Sequence, residues 1–274
     1  MLRILLSILI CCYHLGITIQ AEEDVTPCEI PIPSHIEIAN TKIQITSAAK
    51  KKIRIKMRNT FPTKKSLEKF FVVAATYFPI IKKYLKEGKV PEDLKYLMLL
   101  ESAGIGNARS SSNAVGYWQF KEPAARGVGL TINNSVDERM HIQASTIGFV
   151  KQVNRNNRVL HSWMFTVMSF YTGLGGTQKI IKEKKLHPYT ITNKWHFYIH
   201  MFIAYKLVLG KYLKKIHKYR VRLGIVNCNG KNVSEICKKY KVSKKTFYTY
   251  NHWLLVKRVP KKCHTKIILP IKKR

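Results

Sequence analysis

The sequence predicts a mainly α-helical protein with a small α+β module at its C-terminal end. Three observations support this fold class. Apolar residues recur at intervals of three and four through much of residues 64–216, which is the period of helices with one buried face. No comparable strand pattern precedes residue 219, whereas strand-like segments flank two short amphipathic helices within residues 219–271. With 274 residues, 46% of them hydrophobic, the chain can form one medium-sized domain and one small one.

The first 21 residues have the organisation of a secretory signal peptide. Arg3 forms a short basic region, the apolar run from Ile4 to Cys12 follows, and Ala21 precedes an acidic stretch. The apolar run is too short to span a bilayer. We therefore expect an exported protein of the periplasm or cell envelope, with membrane association as an open alternative. Residues 22–63 are predicted to be a leader or linker.

The helices of the large domain each have a recognisable beginning or end. An apolar stripe runs from Leu67 to Leu85, and Gly88 is placed to end that helix. Pro91 and the two acidic residues after it begin the next helix, because a fixed φ and negative charge both favour a first turn. Further helices are expected near residues 140–155, 160–171 and 194–216.

The cysteines and histidines predict neither a metal site nor a cofactor. No CxxC pair remains in the mature chain, and Cys237 and Cys263 could either pair with each other or stay free thiols. His196 and His200 are spaced for one helical face, but no Glu between them completes an HExxH pattern. Their aromatic neighbours, such as Tyr198, indicate packing or cleft-lining positions instead.

Glu101 is the main candidate for chemistry in the helix that begins at Pro91. It lies seven residues after Leu94 and four after Leu97, on the apolar stripe. It also falls in the last turn before Gly104, where the helix dipole disfavours a negative charge. Both effects raise a carboxyl pKa, which suits a general acid near neutral pH. From helix position alone, a Glu that turns to solvent is the alternative.

Several short motifs follow Glu101 and Ser102 in a fixed order. Ser110 precedes residues 113–120 (Asn-Ala-Val-Gly-Tyr-Trp-Gln-Phe), and residues 136–139 (Val-Asp-Glu-Arg) and 169–176 (Ser-Phe-Tyr-Thr-Gly-Leu-Gly-Gly) come later. Together they resemble the lytic transglycosylases of the goose-type lysozyme superfamily, and in particular the membrane-bound murein transglycosylase D type. The resemblance covers residues 64–216, which are therefore expected to form a lysozyme-like helical SLT domain.

This resemblance implies a peptidoglycan substrate and a role for Glu101 as the single acid/base. In the family this group protonates the glycosidic oxygen between N-acetylmuramic acid and N-acetylglucosamine. It then takes a proton from the muramic 6-hydroxyl, which attacks the anomeric carbon to give a 1,6-anhydro product. The residues that match substrate-binding or cleft-shaping positions are Ser102, Ser110, Gly116, Trp118, Gln119, Phe170 and Tyr171.

The sequence departs from the family pattern at two positions. Asn113 replaces a Gly, and Asn accepts left-handed backbone better than most residues. Phe170 stands where the family has a Tyr near the catalytic acid, and on a helix the neighbouring Tyr171 points about 100° away. A catalytically weakened peptidoglycan-binding protein is therefore one alternative function.

The distribution of acidic residues favours a mechanism with one carboxyl group. Ordinary glycosidases need a second carboxylate across the scissile bond, and none lies between Glu101 and Glu122. Asp137 and Glu138 remain candidates, although an ion pair with Arg139 or a helix start explains them as well. A hydrolytic muramidase, which would release a reducing end, is the second alternative.

The C-terminal module resembles a LysM domain. Residues 230–243 match the family's first turn and helix, while Asn251 and residues 265–270 match the end of the second helix and the last strand. LysM domains are strand–helix–helix–strand units that bind chains containing N-acetylglucosamine. A basic tail that docks on an anionic polymer is the alternative.

The net charge of +34 predicts an anionic partner. Nucleic acid, an anionic membrane and an acidic wall polymer all satisfy the charge, and so does a lysine-rich solvated surface. From Lys218 onward, 17 basic residues stand against one acidic residue. Because export makes nucleic acid the least expected partner, we expect peptidoglycan glycan strands and an anionic envelope surface as partners of a monomer.

Overall fold

The computed structural model describes residues 26–212, 221–261 and 265–271. These ranges are mostly helical and contain a three-stranded and a two-stranded sheet, so the mainly α fold class with a small α+β module is confirmed. No helix in the described ranges is long and apolar enough to cross a membrane. The predicted signal peptide, residues 1–21, and Cys263 lie outside the described residues.

The N-terminal part differs from the leader that the sequence analysis expected. Strands β1 (His35–Ile38) and β2 (Thr41–Ile45) form an antiparallel hairpin, and helix α1 (Ser47–Thr60) follows at once. The Ile-x-Ile alternation gives the hairpin one buried face. In α1 the apolar residues Ala49, Ile53 and Met57 share one buried face, four residues apart, among exposed lysines. The expectation of no strand before residue 219 was therefore wrong.

Within the described residues, seven further helices follow in the large domain. A 3-10 turn over Glu92–Lys95 leads directly into α3, and another over Glu138–Met140 precedes α5. As predicted, Gly88 is the C-cap of the long helix α2. The helices are α2 (Lys64–Glu87), α3 (Tyr96–Ser102), α4 (Glu122–Gly127), α5 (Ile142–Leu160), α6 (Trp163–Thr172), α7 (Leu174–Lys184) and α8 (Phe197–Tyr212).

Helix α8 lies in the middle of the core, where α1, α3 and α6 pack against it. It is apolar on nearly all sides, which is typical of a helix surrounded by others. The rings of Phe61, Phe70 and Tyr205 meet edge to face, with centroids 5.0–5.6 Å apart. Strand β3 (Thr190–Ile191), which pairs in parallel with β2, precedes α8. The hairpin and α1 are thus part of the same core as the predicted catalytic domain.

The C-terminal module has the predicted strand–helix–helix–strand order. Strand β4 (Leu223–Val226) pairs antiparallel with β5 (Ile267–Pro270), and between them lie α9 (Val233–Tyr240) and α10 (Lys244–Tyr250). Asn232 and Glu235 form a reciprocal capping box at the start of α9. Cys28, Cys228 and Cys237 are free thiols.

Candidate active site

Glu101 lies at the end of α3, in the partly buried position that the helix pattern predicted. Leu94 and Leu97, on the same stripe, are fully buried, and Ala103 ends the helix in a left-handed conformation. Removal from water raises the pKa of the Glu101 carboxyl to about 7, and a hydrogen bond from Tyr198 opposes that rise. The group therefore exchanges its proton near neutral pH, as a general acid/base must.

Tyr198 is the residue beside Glu101 that the sequence analysis did not assign to the site, because its aromatic neighbours indicated packing or lining of the cleft. It is in the first turn of α8, is buried, and its hydroxyl donates a hydrogen bond to Glu101 Oε1. Tyr205 follows seven residues later on the same helical face, and burial together with the charge of Glu101 raises its pKa. In the sequence, the signal that could have pointed to Tyr198 was its seven-residue spacing from Tyr205, which places both tyrosines on one helical face.

Phe170 and Tyr171 lie on different sides of α6, as their separation on a helix requires. The Phe170 ring packs edge to face with Trp118, Phe120 and Phe149, with the nearest centroid 5.0 Å away. Tyr171 is 55% exposed, and its ring centroid is 5.1 Å from that of Tyr198. Phe170 is therefore a partly buried residue that packs against the core, and the hydroxyl that meets Glu101 comes from Tyr198 on α8.

Position 116 requires a glycine because its backbone packs directly against another part of the chain. The sequence analysis expected Gly116 at a substrate-binding or cleft-shaping position. Instead, a Cβ at Gly116 would be 1.9 Å from the carbonyl oxygen of Arg139, and the backbone has φ +86°. The loop thus packs its own backbone directly on the segment that carries Arg139.

Trp118 and Ser102 are buried, so the substrate-binding role predicted for them needs correction. Trp118 Nε1 donates to Thr146 Oγ1 at 3.1 Å, and its ring stacks on Phe149 with centroids 3.8 Å apart. Ser102 Oγ donates to the carbonyl oxygen of Tyr117 at 2.8 Å. Both side chains fasten the loop to the helices behind it. Trp118 is fully buried and Ser102 is 3% exposed, so neither side chain presents a face to a saccharide.

Gln119 and Ser110 are partly exposed on the loop that follows Glu101. Gln119 has φ +47°, and its Nε2 donates to the carbonyl oxygens of Ala108 (3.1 Å) and Gly116 (3.0 Å). Its Oε1 has no hydrogen bond within the described ranges. Ser110 Oγ accepts from the Ala114 amide at 3.0 Å, and Asn113 has the predicted left-handed backbone, with φ +60°. Both remain candidates for substrate contact.

The other carboxylates suspected of chemistry have structural partners. Asp137 pairs with Arg139 at 2.7 Å, buried, in the ion pair that the sequence suggested. Glu122 pairs with Arg126 at 2.8 Å on the surface. Glu138 accepts a hydrogen bond from the Thr131 amide at 2.7 Å. Within the described ranges, no three His, Cys, Asp or Glu residues come together as a metal site.

The comparisons with known proteins agree with this geometry. Residues 78–191 match the transglycosylase SLT domain family. Over 177 residues, 63% of the chain, the sequence is 28% identical to the membrane-bound lytic murein transglycosylase D of Escherichia coli strain K12, and equally to that of strain O6:H1. The match spans 39% of the length of these relatives. The resemblance to the LysM family stays a prediction, whereas the resemblance to the SLT-type lytic transglycosylases is confirmed for this part of the chain.

Proposed function

We propose that the protein is a lytic transglycosylase that cleaves the β-1,4 bond between N-acetylmuramic acid and N-acetylglucosamine in peptidoglycan. The observation that carries the proposal is the pair of Glu101 and Tyr198. A partly buried carboxyl with a pKa of about 7 and a phenol hydroxyl on its Oε1 can both give and accept a proton near neutral pH. The similarity to murein transglycosylases D indicates which bond is cleaved.

The proposed reaction uses Glu101 twice. Its proton passes to the glycosidic oxygen as the bond from the anomeric carbon to that oxygen breaks. The muramic 6-hydroxyl oxygen then bonds to the anomeric carbon and gives its proton to the Glu101 carboxylate. No water is consumed, and the 1,6-anhydro product leaves the acid in its starting state. The hydrogen bond from Tyr198 stabilises the carboxylate between the two steps.

The partners of the other carboxylates support this mechanism over hydrolysis. A muramidase needs a second carboxylate beside the bond, either as nucleophile or as base for water. Glu122, Asp137 and Glu138 were the candidates, and each is held by a structural partner. Burial raises the pKa of Glu101 and the hydrogen bond from Tyr198 lowers it, and no second carboxylate among the described residues contributes to that pKa.

The remaining assignments belong to the same proposal. The C-terminal module would bind glycan strands as a LysM-like unit, and the chain would work as a monomer in the periplasm or cell envelope. Membrane association is an open alternative, since the two relatives are described as membrane-bound. Exposed substrate contacts are assigned to Ser110, Gln119 and Tyr171.

The test is the product released from purified peptidoglycan sacculi, identified by mass spectrometry. The native chain should release 1,6-anhydromuropeptides, and Glu101→Gln should lower the rate by at least about 10³-fold, because the amide cannot transfer the proton. Glu122→Gln is the matched control and should keep native activity, since Glu122 pairs only with Arg126 on the surface. Reducing ends in the product would indicate a muramidase. Full turnover by Glu101→Gln would refute the assignment.

A further inference from the structure

We infer that the C-terminal module braces the active-site loop, and that Thr265, Trp253 and Leu254 act as positioning residues for the reaction. The loop in question is residues 108–120, which begins shortly after Glu101 and carries Gln119. The module reaches it through residues 135–141, here called the brace segment. The activity readout of this inference rests on the proposed function.

The module and the brace segment are joined by main-chain hydrogen bonds. The Asp137 amide donates to the carbonyl oxygen of Trp253 at 2.9 Å, and the Leu255 amide donates to that of Ser135 at 2.9 Å. Val136 and Leu254 face each other between these bonds as an antiparallel bridge. Such pairing fixes the direction and register of both segments, which a flexible tether could not do.

Buried polar groups hold the same interface. The Thr265 hydroxyl donates to Glu138 Oε1. His141 is fully buried; its Nδ1 accepts from the Ala144 amide at 3.1 Å, so the proton on Nε2 is donated to the carbonyl oxygen of Lys266, 2.7 Å away. Burial lowers the pKa of His141 to about 4, so it keeps this neutral form at physiological pH.

Apolar side chains from both parts form one cluster. Val115, Val136 and Met140 of the large domain pack together with the core of the module, which includes Trp253 and Leu254. Trp253 is fully buried and Leu254 is 3% exposed. Separation of the module would expose this cluster to water, so the docked arrangement is stabilised by the hydrophobic effect.

The brace segment transmits the contact to the catalytic acid. The Arg139 carbonyl lies against Gly116, and Arg139, held by its ion pair with Asp137, also donates from Nη1 to the Phe120 carbonyl at 3.5 Å. From the same loop, the Tyr117 carbonyl accepts from Ser102, the residue after Glu101. The path from the module through the brace segment and the loop to Ser102, next to Glu101, therefore consists of direct contacts.

The test compares two neighbouring leucines in the full-length chain. Leu254→Ala removes a side chain buried in the interface, whereas Leu255→Ala removes one that is 51% exposed. Each variant is assayed on short soluble glycan strands, which need no wall anchor, and hydrogen exchange is measured at the amides of residues 115–120. Thr265→Val, which deletes only the hydroxyl bonded to Glu138, is a milder second variant in case Leu254→Ala folds poorly.

We expect Leu254→Ala to lower kcat by about 10-fold to 100-fold with little change in KM, because a small displacement of positioned groups has effects of that size. Exchange at residues 115–120 should accelerate, and Leu255→Ala should match the native chain in both readouts. If Leu254→Ala leaves both kcat on soluble strands and hydrogen exchange at residues 115–120 unchanged, the inference that the module braces the loop is wrong. If the native chain cleaves no strands, the proposed function is refuted instead. The hydrogen-exchange measurement would then still test whether the module holds the 108–120 loop in place.

Discussion

The chemistry of Glu101 results from two opposing influences on one carboxyl group. Burial disfavours the charged form and raises the pKa to about 7, while the hydrogen bond from Tyr198 favours the charged form and limits that rise. A carboxyl without the phenol would have a still higher pKa and would give its proton to the glycosidic oxygen less readily in the first step. A carboxyl without burial would have no proton to give at neutral pH.

Replacement of Tyr198 by Phe should separate these influences. The variant loses the hydroxyl bonded to Glu101 Oε1, so the pKa of Glu101 rises and the alkaline limb of the pH–rate profile moves to higher pH. The maximal rate should fall by about 10-fold or more, since a hydrogen bond to a charged group contributes about 1.5–3 kcal/mol. The pH–rate profile on sacculi is the measurement.

Tyr205→Phe is the control for this variant. Tyr205 is on the same face of α8, and its ring packs on Phe61 and Phe70, but Glu101 accepts its hydrogen bond from Tyr198. The alkaline limb should therefore stay in place. If it moved as far as in Tyr198→Phe, the specific role of the Tyr198 hydroxyl would be wrong.

Glu101 should also destabilise the native state at high pH. Its pKa rises from 4.5 to about 7 on folding, so between these values the folded chain holds a proton that the unfolded chain has lost. Stability therefore falls as pH rises through this window, by roughly 3 kcal/mol once pH exceeds 7.

Denaturant unfolding at two pH values tests this predicted loss of stability. Glu101→Gln, which cannot ionise, should be more stable than the native chain at pH 8 and gain little at pH 4.5. Glu122→Gln should show no such difference, because that carboxylate is at the surface. Equal stability of Glu101→Gln and the native chain at pH 8 would contradict the raised pKa.

At the scale of elements, the site depends on close contacts between α3, the 108–120 loop and the brace segment. Ser102 binds the loop from the helix side, Trp118 fixes it to α5, and Gly116 meets the Arg139 carbonyl. All four residues lie within the predicted motifs, but the contacts of Ser102, Gly116 and Trp118 are made behind the site. Motif residues include those that hold the active-site backbone as well as those that touch substrate.

A methyl group at Gly116 should therefore disturb the loop. Gly116→Ala places a Cβ against the Arg139 carbonyl at a φ of +86°, so the free energy of unfolding should fall by at least about 2 kcal/mol. Gly175→Ala is the matched control. No atom lies within 4 Å of a Cβ there, and the residue is in α7, so Ala should be neutral or stabilise by about 0.5 kcal/mol. Equal stability of the two variants, measured by denaturant unfolding, would contradict the close packing.

At the scale of the whole molecule, the charge and the module bear on how the chain would bind the proposed peptidoglycan substrate. A net charge of +34 favours long-range attraction to an anionic polymer. Residues 218–274 contain 17 of the basic residues, and the hydrogen bonds of the module to the brace segment hold the described part of this region beside the large domain.

Binding to sacculi should consequently depend on salt. Between about 0.1 M and 1 M ionic strength the screening length falls from about 10 Å to about 3 Å. We expect binding of the full-length chain to sacculi, measured by co-sedimentation, to weaken at least about 10-fold over this range. Turnover of short soluble glycan strands, which carry far fewer charges than a sacculus, is the control and should change much less. Salt-independent binding would show that the charge is only a solvated surface.

Much of the fold was accessible from local sequence patterns. The stripe from Leu67 to Leu85, the stop at Gly88 and the strand–helix–helix–strand order after residue 219 are confirmed, because period and caps act over a few residues. The hairpin and α1 were missed because their short elements are rich in lysine. Their apolar faces are buried by packing against α8, which lies more than a hundred residues further along the chain, so no local pattern predicts them.

The sequence by itself predicted the acid, since the position of Glu101 on an apolar stripe at a helix end and the motifs that follow it depend only on nearby residues. It also determined the family resemblance and the order of elements in the module. Only the tertiary structure decided which hydroxyl meets the acid, which motif residues are buried behind the site, and where the module docks. The bond from Tyr198 to Glu101 and the pairing of Trp253 with Asp137 join residues about a hundred positions apart. Contacts of that range depend on how helices pack together, which no local pattern encodes.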